Sequence, residues 1–284
     1  MKKILVPVDF SSCANNAVDF AVQSAKYLPV EITLLHAFEL TGNVYTDYMG
    51  VNQEFNQTLL DKVKEELFSL EKSIKDQEGL IVKTAIYKSN VKEAILEACA
   101  ENNIDLVVMG TLGASGLKEK LWGSKTASLI GDSKVPVLVI PCNYKWHKPN
   151  KILVATNQFE KDQTILDFIF ELASLYQARV QVAVFTDEND DNAEAFLEHG
   201  RKIPAYEKML KEQYKEDTIT AIHLYGNEFE ETLHDYIKKY EIDILAMVTY
   251  PRSFWDRIFH PSITKRISYH TDIPLLAIPA RKDY

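Results

Sequence analysis

Short runs of aliphatic, β-branched residues alternate along this chain with longer stretches in which apolar positions recur every three or four residues. The first run spans residues 3–8; behind it Ala14, Ala17, Val18, Ala21, Val22, Ala25 and Leu28 share one helical face, with Ser11 and Ser12 available as N-caps. The pattern then predicts a strand over 31–38, a long charged helix over 54–77 and a strand over 81–87. Asn90 and Glu93 stand at capping-box spacing before a helix that reaches Asn102. A strand over 104–109, a helix over 124–132 and a strand over 136–140 complete the series. Residues 40–52, rich in Tyr and Gly, read as a loop.

The series then repeats. Ile4-Leu5-Val6-Pro7-Val8-Asp9 returns as Ile152-Leu153-Val154-Ala155-Thr156-Asn157, an offset of 148 residues. Ile104-Asp105-Leu106 returns as Ile242-Asp243-Ile244, and Val135-Pro136-Val137 as Ile273-Pro274-Leu275, both at an offset of 138. Strands are expected at 151–155, 179–185, 219–223, 244–248 and 275–278, and Asn227 and Glu230 repeat the Asn90 and Glu93 cap. A period this long means duplicated domains, not a solenoid of short repeats. The expected division is a first domain over 1–142 and a second over 150–284, with a linker at 143–150 between Pro141 and Pro149.

Alternating β and α elements predict an α/β fold, here two tandem five-stranded parallel sheets with helices on both faces. The near-continuous Val, Ile and Leu of the strands agree, because such strands are buried on both sides. The strand order expected in each is 3-2-1-4-5 with right-handed crossovers, so the winding reverses between strands 1 and 4. Ligands of open α/β sheets bind beyond the strand C-termini at such a point. In this chain those termini are Asp9 and Gly110.

Candidate chemistry gathers at the same place. Gly110-Thr111-Leu112-Gly113, nine further residues and then Gly123-Ser124 form a loop between a predicted strand and a predicted helix. Glycines there let main-chain N–H groups approach an anion, and the helix start favours phosphate. Twelve residues separate Gly110 from Gly123, long for a βα connection. Ser124, Lys125 and Thr126 stand at the helix start, where a hydroxyl can cap the helix or bond a phosphate oxygen. Asp9 can accept hydrogen bonds from a ribose or base, and the backbone around Val8 and Ala37 can frame an adenine. No Gly-Lys-Ser/Thr triplet follows the strand, which argues against P-loop hydrolysis. In the second copy Val248, Pro251 and Pro261 replace Gly110, Gly113 and Gly123, and Asn157 replaces Asp9. Proline lacks an N–H and valine adds a branched side chain, so that pocket is expected to be filled.

With these residues in hand, the chain resembles the universal stress protein family in a tandem two-domain form, over nearly its whole length. The opening strand with Pro7, Val8 and Asp9 looks like the family's start. The Gly-x-x-Gly, nine residues, Gly-Ser pattern is that of its ATP-binding branch and fits at Gly110, Gly113, Gly123 and Ser124 without a gap. The resemblance implies an adenine nucleotide held by Pro7, Val8, Asp9, Ala37, Met109 and Gly110. It implies phosphates held by Gly113, Gly123, Ser124 and Lys125 or Thr126. The ligand expected is ATP, alone or with Mg²⁺, one per chain, in a stress-response sensor or regulator.

Composition narrows the alternatives. The 284 residues are 46% apolar or aromatic, enough for two cores, and the formal charge of −9 argues against a nucleic-acid or anionic-lipid partner. No run approaches the eighteen apolar residues of a membrane span, and the apolar N-terminal run, broken by Pro7 and Asp9, reads as a strand. Cys13, Cys99 and Cys142 show neither metal-ligand spacing nor an even disulfide set, so a reducing cytoplasm and unpaired thiols are expected, with Cys13 and Cys99 on helix faces. Asp9 reads equally as ligand or as helix cap, and Lys118 and Lys120 as solvated charges. His36 reads as a strand-end residue, the aromatic cluster at 250–259 as core or interdomain surface, and the acidic stretch 187–191 as a solvated loop. No catalytic set and no metal site is identified. Slow ATP hydrolysis or phosphoryl transfer from the same pocket, which would require Mg²⁺, is the enzymatic alternative; a carrier or scaffold for another ligand is a third. Docking of the two halves through their last strands, a further homodimer and an unidentified protein partner are also expected.

Overall fold

Every aliphatic run in the described part of the N-terminal half becomes a parallel strand. The computed structural model describes residues 1–39, 51–111, 124–156, 158–187, 193–227, 229–249 and 272–280. The chain divides into two units that part between Cys142 and Asn143. The first contains β1 (Lys3–Pro7), α1 (Ser12–Ser24), β2 (Glu31–Ala37), α2 (Val51–Glu78), β3 (Lys83–Tyr87), α3 (Val91–Asn102), β4 (Leu106–Gly110), α4 (Ser124–Asp132) and β5 (Val137–Ile140). Its strands pair in the order β3-β2-β1-β4-β5, all parallel. The second contains β6 (Lys151–Thr156), α5 (Gln163–Tyr176), β7 (Arg179–Asp187), α6 (Ala193–Tyr214), β8 (Thr220–Gly226), α7 (Phe229–Tyr240), β9 (Ile244–Thr249) and β10 (Leu275–Pro279). It repeats the order as β8-β7-β6-β9-β10.

Burial explains the strand composition. Ile4, Leu5 and Val6 of β1, Leu106, Val107 and Val108 of β4, and all four residues of β5 are buried, as helices covering both faces require. α1 lies over β4 and is flanked by β1 and β5, while α3 lies over β1 and β2. Ser11 is the N-cap of α1, its hydroxyl accepting from the Ala14 N–H at 3.2 Å. Asn90 caps α3 by accepting from the Glu93 N–H at 3.1 Å, and Asn103 ends that helix in the left-handed region. The Asn227 and Glu230 cap expected in the second half falls partly on residue 228 and on the Glu230 side chain, outside the described residues.

The repeated Ile-Asp pair has a structural reason. Asp105 Oδ2 accepts the N–H groups of Lys2 and Lys3 at 2.6 and 3.0 Å, just where β1 begins. Asp243 Oδ2 accepts those of Asn150 and Lys151 at 2.7 and 2.9 Å, where β6 begins. Lys3 Nζ donates to the Asn102 carbonyl and Lys151 Nζ to the Tyr240 carbonyl, so each clamp is closed by a lysine as well. This is why β4 starts at Leu106, two residues later than the apolar pattern suggests: the aspartate side chain takes the place of a ladder bond. Similarly β3 starts at Lys83, which leaves Ile81 outside the strand and 77% exposed. Among the described residues no helix is long and apolar enough to cross a membrane.

Candidate functional site

The strand order brings three C-terminal ends side by side. β1 pairs with β2 through Pro7 and Leu35, and with β4 through Leu5 and Val107, so the chain leaves these strands on one rim. That rim carries Pro7, Val8 and Asp9 from β1, His36 and Ala37 from β2, and Met109, Gly110 and Thr111 from β4. The Val8 N–H is held by the Leu35 carbonyl at 2.7 Å and the Thr111 N–H by the Ile140 carbonyl at 3.1 Å. Six of the expected site residues therefore lie on adjacent strand ends. Ser124 and Lys125 open α4, but their side chains, and the whole of Gly113 and Gly123, lie outside the described residues.

Several residues take more defined roles than their sequence positions suggest. Asp9 is not the N-cap of α1; that is Ser11, and Asp9 Oδ1, two residues upstream, accepts the Ser11 N–H at 3.1 Å. Thr126 is 2% exposed, and its hydroxyl donates to the Thr111 carbonyl at 3.3 Å, with the Gly110 carbonyl 3.5 Å away. It ties the start of α4 to the end of β4. Gly110 must be glycine for a packing reason: a Cβ there would meet the Cys13 carbonyl oxygen at 2.6 Å. The first turn of α1 thus presses directly on the strand end.

His36 was legible as a strand-end residue, and the structure adds an orientation. Its Nδ1 lies 2.7 Å from the Val8 carbonyl, so Nδ1 carries the proton and Nε2 is the remaining ring nitrogen. The Phe10 ring stacks on it at 5.2 Å with the planes 21° apart, and Phe10 reaches that position with a left-handed φ of 60°. A non-glycine residue at positive φ is uncommon and marks a constrained turn.

The cysteine expectation is corrected here. Cys13 and Cys142 are joined by a disulfide, with Cα atoms 4.3 Å apart and a sequence separation of 129. Spacing could not reveal the pair, because it forms only once α1 crosses β4 toward β5. Asn16 Nδ2 donates to the Pro141 and Cys142 carbonyls at 3.2 and 2.7 Å, fixing the exit of β5 beside α1. Cys142 Sγ lies 3.3 Å from Thr111 Oγ1.

The second domain differs at the matching positions. Strand registers keep the repeat frame: Ile4 pairs with Ile32 as Ile152 pairs with Val180, and Gly110 with Ile140 as Val248 with Ile278. In this frame Phe185 occupies the place of Ala37; it is 5% exposed and packs edge-on against Phe229 at 4.9 Å. Val248, also buried, replaces Gly110. The helix after β6 also starts later: the N-cap of α5 is Asp162, three positions later in the frame than Ser11. Asn157, Pro251, Pro261 and the aromatic cluster at 250–259 lie outside the described residues, as do 188–191 of the acidic stretch and the loop at 40–50. Lys118 and Lys120 do as well.

A cluster in the second domain had no sequence signal. Thr186 Oγ1 sits 2.8 Å from His199 Nδ1 and 2.7 Å from His223 Nε2, joining β7, α6 and β8. A hydroxyl has one proton, so at least one ring donates to it. Burial, and then the neighbouring His199, hold His223 below the ordinary histidine pKa. Among the described residues no group of three or more His, Cys, Asp or Glu side chains is arranged to hold a metal.

The model of the universal stress protein family matches this chain twice, over residues 1–141 and 149–279. The chain is 31% identical over 152 residues to universal stress protein MJ0577 of Methanocaldococcus jannaschii, covering 49% of this chain and 94% of that protein. It is 30% identical over 144 residues to universal stress protein YxiE of Bacillus subtilis, covering 49% and 97%. A solved universal stress protein from Archaeoglobus fulgidus shares the fold over 99% of this chain and 97% of its own, with a TM-score of 0.67 at 17% identity.

Proposed function

Since this chain belongs to the universal stress protein family, with both halves matched by the family model, we propose that its first domain binds ATP and its second does not. The protein is then a nucleotide-dependent regulator whose partner contacts follow occupancy of one pocket per chain, in the cytoplasm. The observation that carries this reading is the shared rim. Asp9, Ala37 and Gly110 come together at the strand ends, and the glycine-rich segment runs from that rim to the start of α4. Ala37 presents only a methyl group at the end of β2, where an adenine ring is expected, and Asp9 offers a carboxylate to ribose hydroxyls. The main-chain amides of Gly113, Gly123 and Ser124 receive the phosphates, aided by the dipole of α4. Mg²⁺ would reach the site on the nucleotide, since no carboxylate cluster is available for it among the described residues.

Two features support occupancy of one domain only. Phe185, buried against Phe229, stands in the frame where the first domain has the methyl group of Ala37, and Pro261 lacks the amide that Gly123 supplies. The test is to denature the purified protein, identify released nucleotide by mass spectrometry and count it per chain, beside the Gly123→Pro variant. About one adenine nucleotide from the wild type and none from the variant is expected. Two per chain, or equal release from both proteins, would overturn the reading.

A further inference from the structure

The disulfide lies against the residues from which the nucleotide segment departs. Cys13 occupies the first turn of α1, and its carbonyl oxygen faces Gly110 so closely that no side chain fits between them. Cys142 follows β5, touches the Thr111 hydroxyl through its sulfur and is held in place by Asn16. Thr111 in turn is bonded to Ile140 through its N–H and to Thr126 through its carbonyl. The S–S bond therefore braces Gly110 and Thr111 between α1 and the exit of β5.

We propose that Cys13 and Cys142 form a reversible thiol–disulfide exchange site whose state sets the nucleotide affinity of the first domain. The proposal rests on the nucleotide reading above, and on the cytoplasmic location that goes with it. In a reducing compartment a disulfide is commonly transient and redox-sensing instead of a permanent staple. The two sulfurs differ in the way exchange needs. Cys142 is half-buried and the more exposed of the two, whereas Cys13 is 7% exposed and stands at a helix N-terminus, where a thiolate is favoured.

The chemistry closes with a low-molecular-weight thiol such as glutathione as the co-reactant. Its thiolate attacks Cys142 Sγ, the protein S–S bond breaks, and the electron pair leaves on Cys13 Sγ, which takes up the proton lost by the attacking thiol. A second thiol resolves the mixed disulfide at Cys142. The products are two protein thiols and one small disulfide, and oxidation is the reverse. Cys99 does not compete, because burial pushes its thiol up to about 11.

The bond pre-organises Gly110 and Thr111, so the oxidised form binds more tightly. The experiment equilibrates the full chain in glutathione buffers of graded ratio and counts free thiols by alkylation and mass spectrometry. ATP affinity and amide hydrogen exchange at Gly110 and Thr111 are then measured in both forms. Cys13→Ser and Cys142→Ser, made separately, serve as permanently open forms. The expected result is formation of the Cys13–Cys142 bond within the glutathione range and ATP affinity at least fivefold higher when oxidised, with both variants fixed at the reduced value. Affinities closer than fivefold, or no bond at any ratio, would overturn the proposal. If ATP binds neither form, the nucleotide reading fails and the affinity link with it. Hydrogen exchange then decides the exchange site alone: slower exchange at Thr111 on oxidation keeps it, and unchanged exchange removes it.

Discussion

The two domains share a frame and differ at its rim. Both begin their first strand on an aspartate that grips two successive amides, Asp105 in one and Asp243 in the other. Both keep the same strand order and the same register between their central strands. At the strand ends they part: Gly110 against Val248, Ala37 against Phe185, and a helix start shifted by three positions. What the copies share is the strand frame and its aspartate clamps, and what they do not share lies at the strand ends.

Exchanging the divergent residues tests that division most severely at Gly110. Gly110→Val imports the second domain's residue against a main-chain oxygen that cannot yield, and is expected to cost the first domain about 3 kcal/mol and to abolish ATP binding. The reverse change, Val248→Gly, costs about 2–3 kcal/mol through its cavity and backbone freedom, and creates no nucleotide site because Phe185 remains. Denaturant unfolding with isothermal calorimetry of ATP reads both. A second pocket opened by Val248→Gly alone would break the comparison.

The shared clamps should respond alike. Asp105→Ala and Asp243→Ala each strand two main-chain amides and are expected to destabilise their own domain by about 2 kcal/mol. Unequal losses, differing by more than a factor of two, would mean that one clamp has acquired another role. Ala37→Phe is gentler: it copies Phe185 into the first rim and should lower ATP affinity about tenfold, a difference of about 1.4 kcal/mol, while the melting temperature holds. Loss of folding in place of affinity would show that Ala37 is core.

The smallest effect belongs to the second domain alone. His223 is held below its ordinary pKa by burial and by His199, so the unfolded chain binds more protons than the folded one between the depressed value and about 6.5. Its neutral form contributes stability that is present above that range and is lost as pH falls through the folded pKa. Melting of the second domain should therefore decline from pH 7.5 to 5.5, and His223→Gln should flatten the slope. The groups that face it are Thr186, His199 and the rings of Phe196 and Tyr225. An unaltered slope in the variant would remove His223 as its source.

Much of this is legible in the sequence. Strand order followed from alternation and handedness, and the duplication from Ile104-Asp105 and Ile242-Asp243, although only the structure shows why the aspartate is there. Asp9 and Gly110 were placed on one rim by topology alone, and Ala37 joined them through the resemblance. The Cys13–Cys142 bond was missed because it joins elements at opposite ends of the first domain's sequence, where spacing carries no signal. Thr186, His199 and His223 were missed because a polar cluster built from two strands and a helix has no periodicity of its own. Phe185 was visible as a strand residue, and the strand registers align it with Ala37.

The paired aspartates also make the molecule its own measuring device. Lys3 and Lys151 carry equivalent amides under equivalent carboxylates, so their isotope-exchange rates form an internally referenced ratio. A ligand that steadies one half would move that ratio without any label, tag or truncation, and would report which half it had entered.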